Sequence, residues 1–415
     1  MKISIKKINL LIIFALLFHF IFLIAYAIPI VHIIALYTIV SYVIFYKKNK
    51  IKIRISNDIF WFFLFGALFV IYSWIVVQIN GSAEGSFIYT IFLRYFMYLL
   101  VVALWAEMLV YKYNLSKEKF NDLIIYILFL QVICVYLSAF VPSFYSFTRS
   151  VLPDMGNIIN SSNINLQLRF KGFSNSGGDG LSLILSICPM LCFLEYKLAL
   201  STFSKWKYLI MFWLSFFSLI FVGRTGIIVV VLFLGFNLIV YYRTIFIFMF
   251  RSTLLMLPLF LISIGFLQEI LGDRFNAIID FAFEFFNGKS GSTDDLFGNM
   301  LFLPNTWKTL LFGDGMFANG DGTNYMQSDS GYVRLIFFFG IIGSALFYLV
   351  NVVFIKKFIN LSSKDTKIMF YNMLIMYFIV EIKRPFILGN GYTTVYLFLL
   401  FFQYFHSQRL NNQIV

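Results

Sequence analysis

Residues 208–242 read YLIMFWLSFFSLIFVGRTGIIVVVLFLGFNLIVYY, and Arg224 is the only charge among them. A helix needs roughly 20 apolar residues to cross a bilayer, and two crossings need about 40. The stretch is too long for one crossing and slightly short for two. Its centre is Gly223-Arg224-Thr225-Gly226, and glycines on both sides of an arginine favour a tight turn. The reading that fits both facts is a helical hairpin: two short spans with Arg224 at the turn, at one membrane face.

Working outward, the rest of the chain is of the same kind. It is 61% hydrophobic and only 12% charged, where soluble domains carry about 25% charge. That excludes a soluble enzyme and predicts an all-α, polytopic, single integral membrane domain over 1–415. The net charge of +13 reads as positive-inside bias rather than as a nucleic-acid surface. Cys134, Cys188 and Cys192 all fall in apolar segments, so they form neither a disulfide framework nor a zinc site. Lys2, Lys6 and Lys7 precede an apolar run ending Ala25-Tyr26-Ala27, which mimics a signal peptide. The run is long and a second one starts at Ile30, so the first segment reads as a retained span.

Apolar segments occur near 9–27, 30–46, 58–79, 87–110, 120–141, 179–196, 208–222, 226–242, 245–267, 331–355, 368–381 and 391–406. Twelve spans with the N-terminus inside place most basic residues on the inner side, among them Lys47, Lys48, Lys112, Lys197, Lys205, Lys207, Lys356 and Lys357, as the positive-inside rule requires. Both termini are then cytoplasmic. Two longer loops, 142–178 and 268–329, lie outside together with Arg224.

Several cations break the inner bias, and each sits at or just within an outer membrane end. They are Arg94, Arg169, Lys171, Arg224, Arg334, Lys383 and Arg384. A charge at membrane depth is costly and faces a cavity or a partner. A set of them at one depth suits an anion held at headgroup level, and the arginine fork binds phosphate oxygens bidentately. Snorkelling to lipid headgroups explains a single such residue almost as well, least so for Arg224 with its flanking glycines.

In the second loop, Gly272 to Asn287 has the spacing of an amphipathic helix lying on the membrane surface. Pro304 opens a second short helix through Leu311, with Gly313 as its cap. Asp329, in Ser328-Asp329-Ser330-Gly331, is placed to cap the next span. Asp294-Asp295 without a nearby histidine is a weak metal signal. His19, His32 and His406 lie outside the long outer loops, and no Ser-His-Asp set, P-loop or zinc signature is present.

The motifs FVGRTGIIVVV (221–231), LLFGDGMF (310–317), SDSGYVRLIFFFGIIGSALF (328–347) and EIKRPF (381–386), in this order, resemble the bacterial O-antigen and capsular polysaccharide polymerases of the Wzy type. The resemblance implies a membrane glycosyltransferase of the all-helical class shared with O-antigen ligases. Such an enzyme moves a growing glycan from undecaprenyl pyrophosphate onto a lipid-linked oligosaccharide repeat unit at the outer face of the cytoplasmic membrane. Arg224 matches the family's hairpin arginine, Asp329 and Arg334 the motif opening the span after the large loop, and Glu381 and Lys383 its late charged turn. Of the outer cations read above, Arg224 is then expected to bind pyrophosphate, with Arg169, Lys171, Arg334, Lys383 and Arg384 as further cations. Glu381 and Asp329 become the candidate bases, Glu381 slightly ahead because a cap role already accounts for Asp329. No metal or other cofactor is expected. The expected partners are the lipid-linked substrate, membrane lipid and a chain-length regulator protein. The ligases use a histidine in the large outer loop, which this chain lacks. A lipid-linked oligosaccharide flippase or secondary transporter is the alternative from another class.

Overall fold

The computed structural model describes residues 7–18, 30–48, 56–82, 85–151, 170–174, 178–271, 296–319, 323–385 and 391–414. In chain order the helices are α1 (Lys7–Phe18), α2 (Ile30–Lys48), α3 (Asn57–Asn80), α4 (Gly85–Phe92), a π-helical stretch Leu93–Leu99, α5 (Leu100–Tyr111), α6 (Lys117–Phe140), α7 (Pro142–Val151), α8 (Asp179–Leu198), α9 (Thr202–Val222), α10 (Arg224–Leu271), α11 (Trp307–Phe312), α12 (Gly331–Asn360), α13 (Lys364–Glu381) and α14 (Gly391–Ile414). Among the described residues there is no strand, only an isolated bridge between Ala318 and Asn324. Among the described residues eight helices are long and apolar enough to cross a membrane. The chain is an all-α polytopic membrane protein.

The chain divides into two compact units. One holds 31–116 and 291–415, the other 6–30 and 117–290. Each is built on one central helix. In the second unit it is α8, buried from Leu181 to Tyr196. In the first it is α14, buried without a break from Gly391 to Phe405. A helix buried all round touches protein instead of lipid, so α14 can carry Thr393, Thr394 and Gln403. Those polar residues keep it below the hydropathy of a lipid-facing span.

In the second unit α9 and α10 are joined by Gly223 alone, so the hairpin read from residues 208–242 is present with a one-residue turn. α10 then holds a surprise. Its 48 residues would extend about 72 Å if straight, more than twice the hydrocarbon thickness. It breaks at Tyr241, whose φ of −129° and ψ of 41° are not helical. Phe193 of α8 touches Phe233 at 5.9 Å and Phe248 at 5.3 Å between ring centroids. A straight helix would separate those two residues by about 22 Å. The chain therefore folds back at Tyr241, and segments 226–242 and 245–267 are the limbs of a second hairpin.

The ends of this unit are chemically distinct. Lys197 lies 3.1 Å from the centroid of the Tyr241 ring, and Lys207 lies 3.6 Å from Asp122. The first turns of α8 and α10 meet at the opposite end, where the Thr225 hydroxyl donates to Asp179 Oδ1 at 2.7 Å. Lys197 and Lys207 thus lie at the pole away from Arg224. The stretch 142–178, expected as loop, starts as the helix α7.

The first unit repeats the polarity. At one end Lys357 pairs with Asp58, Lys112 lies over Phe45, and Arg409 donates to the Val110 carbonyl. The other end is built by an interlock. Gly340 (φ 72°, ψ 174°) breaks α12 nine residues into the helix. The backbone of Gly313–Gly315 enters the gap. The Asp314 amide donates to the Phe337 carbonyl at 2.7 Å and the Gly315 amide to Phe338 at 3.2 Å, while Tyr72 Oη reaches the Phe339 carbonyl at 3.4 Å. A broken helix at membrane depth is tolerated where other groups satisfy its freed carbonyls, and this loop supplies them.

Two local expectations are corrected. The short helix is opened by Thr306, whose Oγ1 accepts from the Thr309 amide, not by Pro304. The N-cap of α12 is Ser330 rather than Asp329, and it makes no side-chain capping bond. Asp329 instead accepts through Oδ1 from the Asn324 side-chain Nδ2. The surface helix expected at 272–287 lies outside the described residues, as does the Asp294-Asp295 pair.

Candidate functional site

Arg224 is the first residue of α10 and is half-buried. A cation at a helix N-terminus opposes the helix dipole, so helix stability does not account for an arginine here. Its neighbours are held closely. Gly226 donates its amide to Ser182 Oγ at 3.2 Å, and a Cβ on Gly226 would lie 2.9 Å from the Ser182 carbonyl carbon. A Cβ on Gly223 would lie 3.2 Å from the Gly178 carbonyl carbon. The two glycines that mark the turn in the sequence are thus also what lets the first turns of α8 and α10 touch. Two helix N-termini, each the positive end of its helix dipole, lie side by side beside the arginine.

Gly226→Ala is expected to force these backbones apart at a cost of about 1–3 kcal/mol. In detergent-solubilised protein this should appear as a melting temperature several degrees lower. Gly235→Ala, where nothing lies within 4 Å, should melt no lower than the parent.

A second basic turn is attached to the same end. The Phe170 amide donates to the Phe221 carbonyl at 2.9 Å, three residues before Arg224. Gln131, fully buried in α6, donates to the Lys171 carbonyl at 2.7 Å and accepts from the Phe173 amide at 3.3 Å. These bonds bring Lys171, half-buried, to the Arg224 pole. Arg169 lies outside the described residues.

Asp329, Arg334, Glu381, Lys383 and Arg384 belong to the first unit. Arg334 stacks over the Phe317 ring at 3.7 Å and donates through Nη2 to the Phe317 carbonyl at 3.0 Å. Phe317 in turn stacks on Phe87 at 3.9 Å. The guanidinium is therefore partly committed to holding the interlock loop. Asp314, in that loop, accepts from Thr309 Oγ1 at 2.7 Å and from Tyr325 Oη at 3.3 Å. Burial, and then the charge of Asp314, push the Tyr325 phenol above its ordinary range.

Glu381 ends α13 and is fully enclosed. It accepts from Tyr348 Oη at 3.1 Å, and a Cβ on Gly331 would lie 2.6 Å from its Oε1. Its carboxylate thus rests against the first turn of α12, a positive helix end, and interacts electrostatically with Arg94. Arg94 is itself buried in the π-helical stretch, donating to Thr394 Oγ1 at 2.9 Å. Lys383 and Arg384 follow on a turn in which both amides return to the Val380 carbonyl; Lys383 is half-buried and Arg384 exposed. Asp329 is half-buried, the more accessible of the two candidate carboxylates.

Three residues in these clusters were not legible as site residues: Asp179, Gln131 and Thr394. Gly177-Gly178-Asp179-Gly180 before an apolar run is a helix-start pattern that points to Asp179. Nothing local marks Gln131 or Thr394. Compared with protein-family models, curated proteins and solved structures, the chain finds no match in any of the three.

Proposed function

We propose that the chain is a polysaccharide polymerase of the cytoplasmic membrane, transferring a growing glycan from undecaprenyl pyrophosphate onto a lipid-linked oligosaccharide repeat unit. The observation that carries this reading is the Arg224 turn. An arginine whose position opposes the helix dipole is fixed by close backbone contacts where two helix N-termini meet, at the pole away from Lys197 and Lys207. Such a pole suits a multiply charged leaving group held at headgroup depth. The reading takes twelve crossings, both termini inside, and the Arg224 pole outside. In the transfer, an acceptor hydroxyl oxygen bonds to the anomeric carbon, and the bond from that carbon to pyrophosphate oxygen breaks. The electron pair leaves with the lipid pyrophosphate, and the hydroxyl proton passes to a carboxylate. Arg224 and Lys171 stabilise the leaving charge. No cofactor and no nucleic acid enter the proposal; a chain-length regulator protein is the partner it implies.

Exposure favours Asp329 over Glu381 as that carboxylate. A sealed group in contact with a helix N-terminus is better suited to holding the α12–α13 junction. The test is purified protein with a synthetic undecaprenyl-pyrophosphate repeat unit, read as a ladder of products across pH. Asp329→Asn is expected to lower turnover on the order of 10²-fold with donor binding retained. Glu381→Gln should lower the amount of folded protein more than the turnover of what folds. The opposite pattern would return the base role to Glu381. Absence of any ladder, together with movement of the lipid-linked sugar across vesicles, would favour a transporter instead. Among the described residues, the broken helix at Gly340 speaks for that second reading, since transporters use discontinuous helices.

A further inference from the structure

Asp179 plays no part in the reading above, yet it is only 5% exposed in the first turn of α8. An acid at that position gains from the helix dipole, which would suffice for an exposed residue. A buried carboxylate requires specific hydrogen bonds in addition. One comes from Thr225, the residue after Arg224, whose Oγ1 donates to Asp179 Oδ1 at 2.7 Å. Ser182 adds a second tie, donating through Oγ to the Asp179 carbonyl at 2.9 Å and accepting from the Gly226 amide at 3.2 Å. The two residues that follow Arg224 are therefore each fastened to α8, one by its side chain and one by its backbone. This fixes the rotation of the first turn of α10 about its own axis, and with it the direction of the Arg224 Cα–Cβ bond.

We infer that Asp179 is a positioning residue which, acting through the Thr225 hydroxyl, aims the Arg224 guanidinium at the substrate pyrophosphate. The inference rests on the proposed function and adds a residue to its site. The reason aim matters is the planar fork: bidentate pairing to phosphate oxygens needs the guanidinium plane aligned, whereas a point charge tolerates rotation. Without the Thr225 bond the first turn of α10 loses its side-chain tie to Asp179 while the Gly226 backbone tie stays, and the fork loses its orientation while its charge stays.

The experiment measures binding of undecaprenyl pyrophosphate to the purified full-length protein in nanodiscs, with inorganic pyrophosphate as competitor and the melting temperature recorded alongside. Thr225→Val keeps shape and removes the hydroxyl; it is expected to weaken binding about tenfold at a nearly unchanged melting temperature. Thr225→Ser, which keeps the hydroxyl, is expected to stay within about twofold of the parent. Asp179→Ala should weaken binding at least as far as Thr225→Val, and the double variant should be no weaker than Asp179→Ala alone, because the two side chains share the bond under test. Parent-like binding by a folded Thr225→Val overturns the inference, as does a Thr225→Ser variant that falls as far as the valine. Should Asp179→Ala fail to fold, the nearly isosteric valine variant still decides. Arg224→Ala separates the two levels. If it binds like the parent, the pyrophosphate site itself is wrong; if it loses binding while Thr225→Val does not, only the positioning role falls.

Discussion

Arg224→Lys is expected to lower polymer lengthening on the order of 10²-fold, with Arg224→Ala at least as low. Lysine keeps the charge and loses the fork, so the size of the lysine effect reports how much of the contribution is orientation rather than charge. The protein should still accumulate normally. A cation at the first position of a helix opposes the dipole by about 0.3–1 kcal/mol, so removing it does not weaken α10. The check is the product ladder at matched amounts of folded protein. Full-length polymer from Arg224→Ala would remove the centre of the proposed site.

The second large effect falls on folding. At Gly340 the backbone has φ of 72° and a Cβ would lie 2.5 Å from the Phe312 amide nitrogen, with the Leu311 carbonyl closer still. Alanine there meets a strained conformation and the Leu311–Phe312 peptide group, which cannot rotate away. Strain of about 1–2 kcal/mol and overpacking of about 1–3 kcal/mol add. If alanine instead straightened α12, it would expel the Gly313–Gly315 loop and remove the amides that serve Phe337 and Phe338. Either way Gly340→Ala should sharply reduce the monodisperse peak in detergent size-exclusion chromatography. Gly298→Ala, where nothing lies within 4 Å, should leave that peak intact.

The sequence made the helices legible because length and hydropathy are summed over many residues. Each of the twelve apolar segments contains described helix, and the Gly223–Gly226 turn followed from counting residues against bilayer thickness. What escaped were events one residue wide. The Gly340 break lies in FFFGIIGSALF, and glycine is ordinary in membrane helices. What marks this one is the backbone of Gly313, distant in sequence. The π-helical stretch around Arg94 leaves hydropathy unchanged. The same holds for the site. Arg224 stood out because it was the only charge in its stretch. Asp179 did not, because a carboxylate before an apolar run already has an everyday role as a helix start. Glu381 was expected beside its basic sequence neighbours, yet a distant tyrosine, Tyr348, donates to it, and the first turn of α12 lies against it.

The reversal at Tyr241 has a consequence in hydrophobic mismatch. From Arg224 to Tyr241 is 17 residues, about 26 Å of helix, against a hydrocarbon core of about 30 Å. α8 does no better, since Asp179 to Lys197 is 18 residues, about 27 Å. With Lys197, Tyr241 and Arg243 held at one headgroup plane, the turn at Arg224 stops a few ångströms short of the other. In the proposed orientation the bilayer would thin locally to meet it, at a modest cost per ångström. A lipid phosphate would then come down to the arginine more readily in a thin membrane than in a thick one, which makes bilayer thickness a control on this pole.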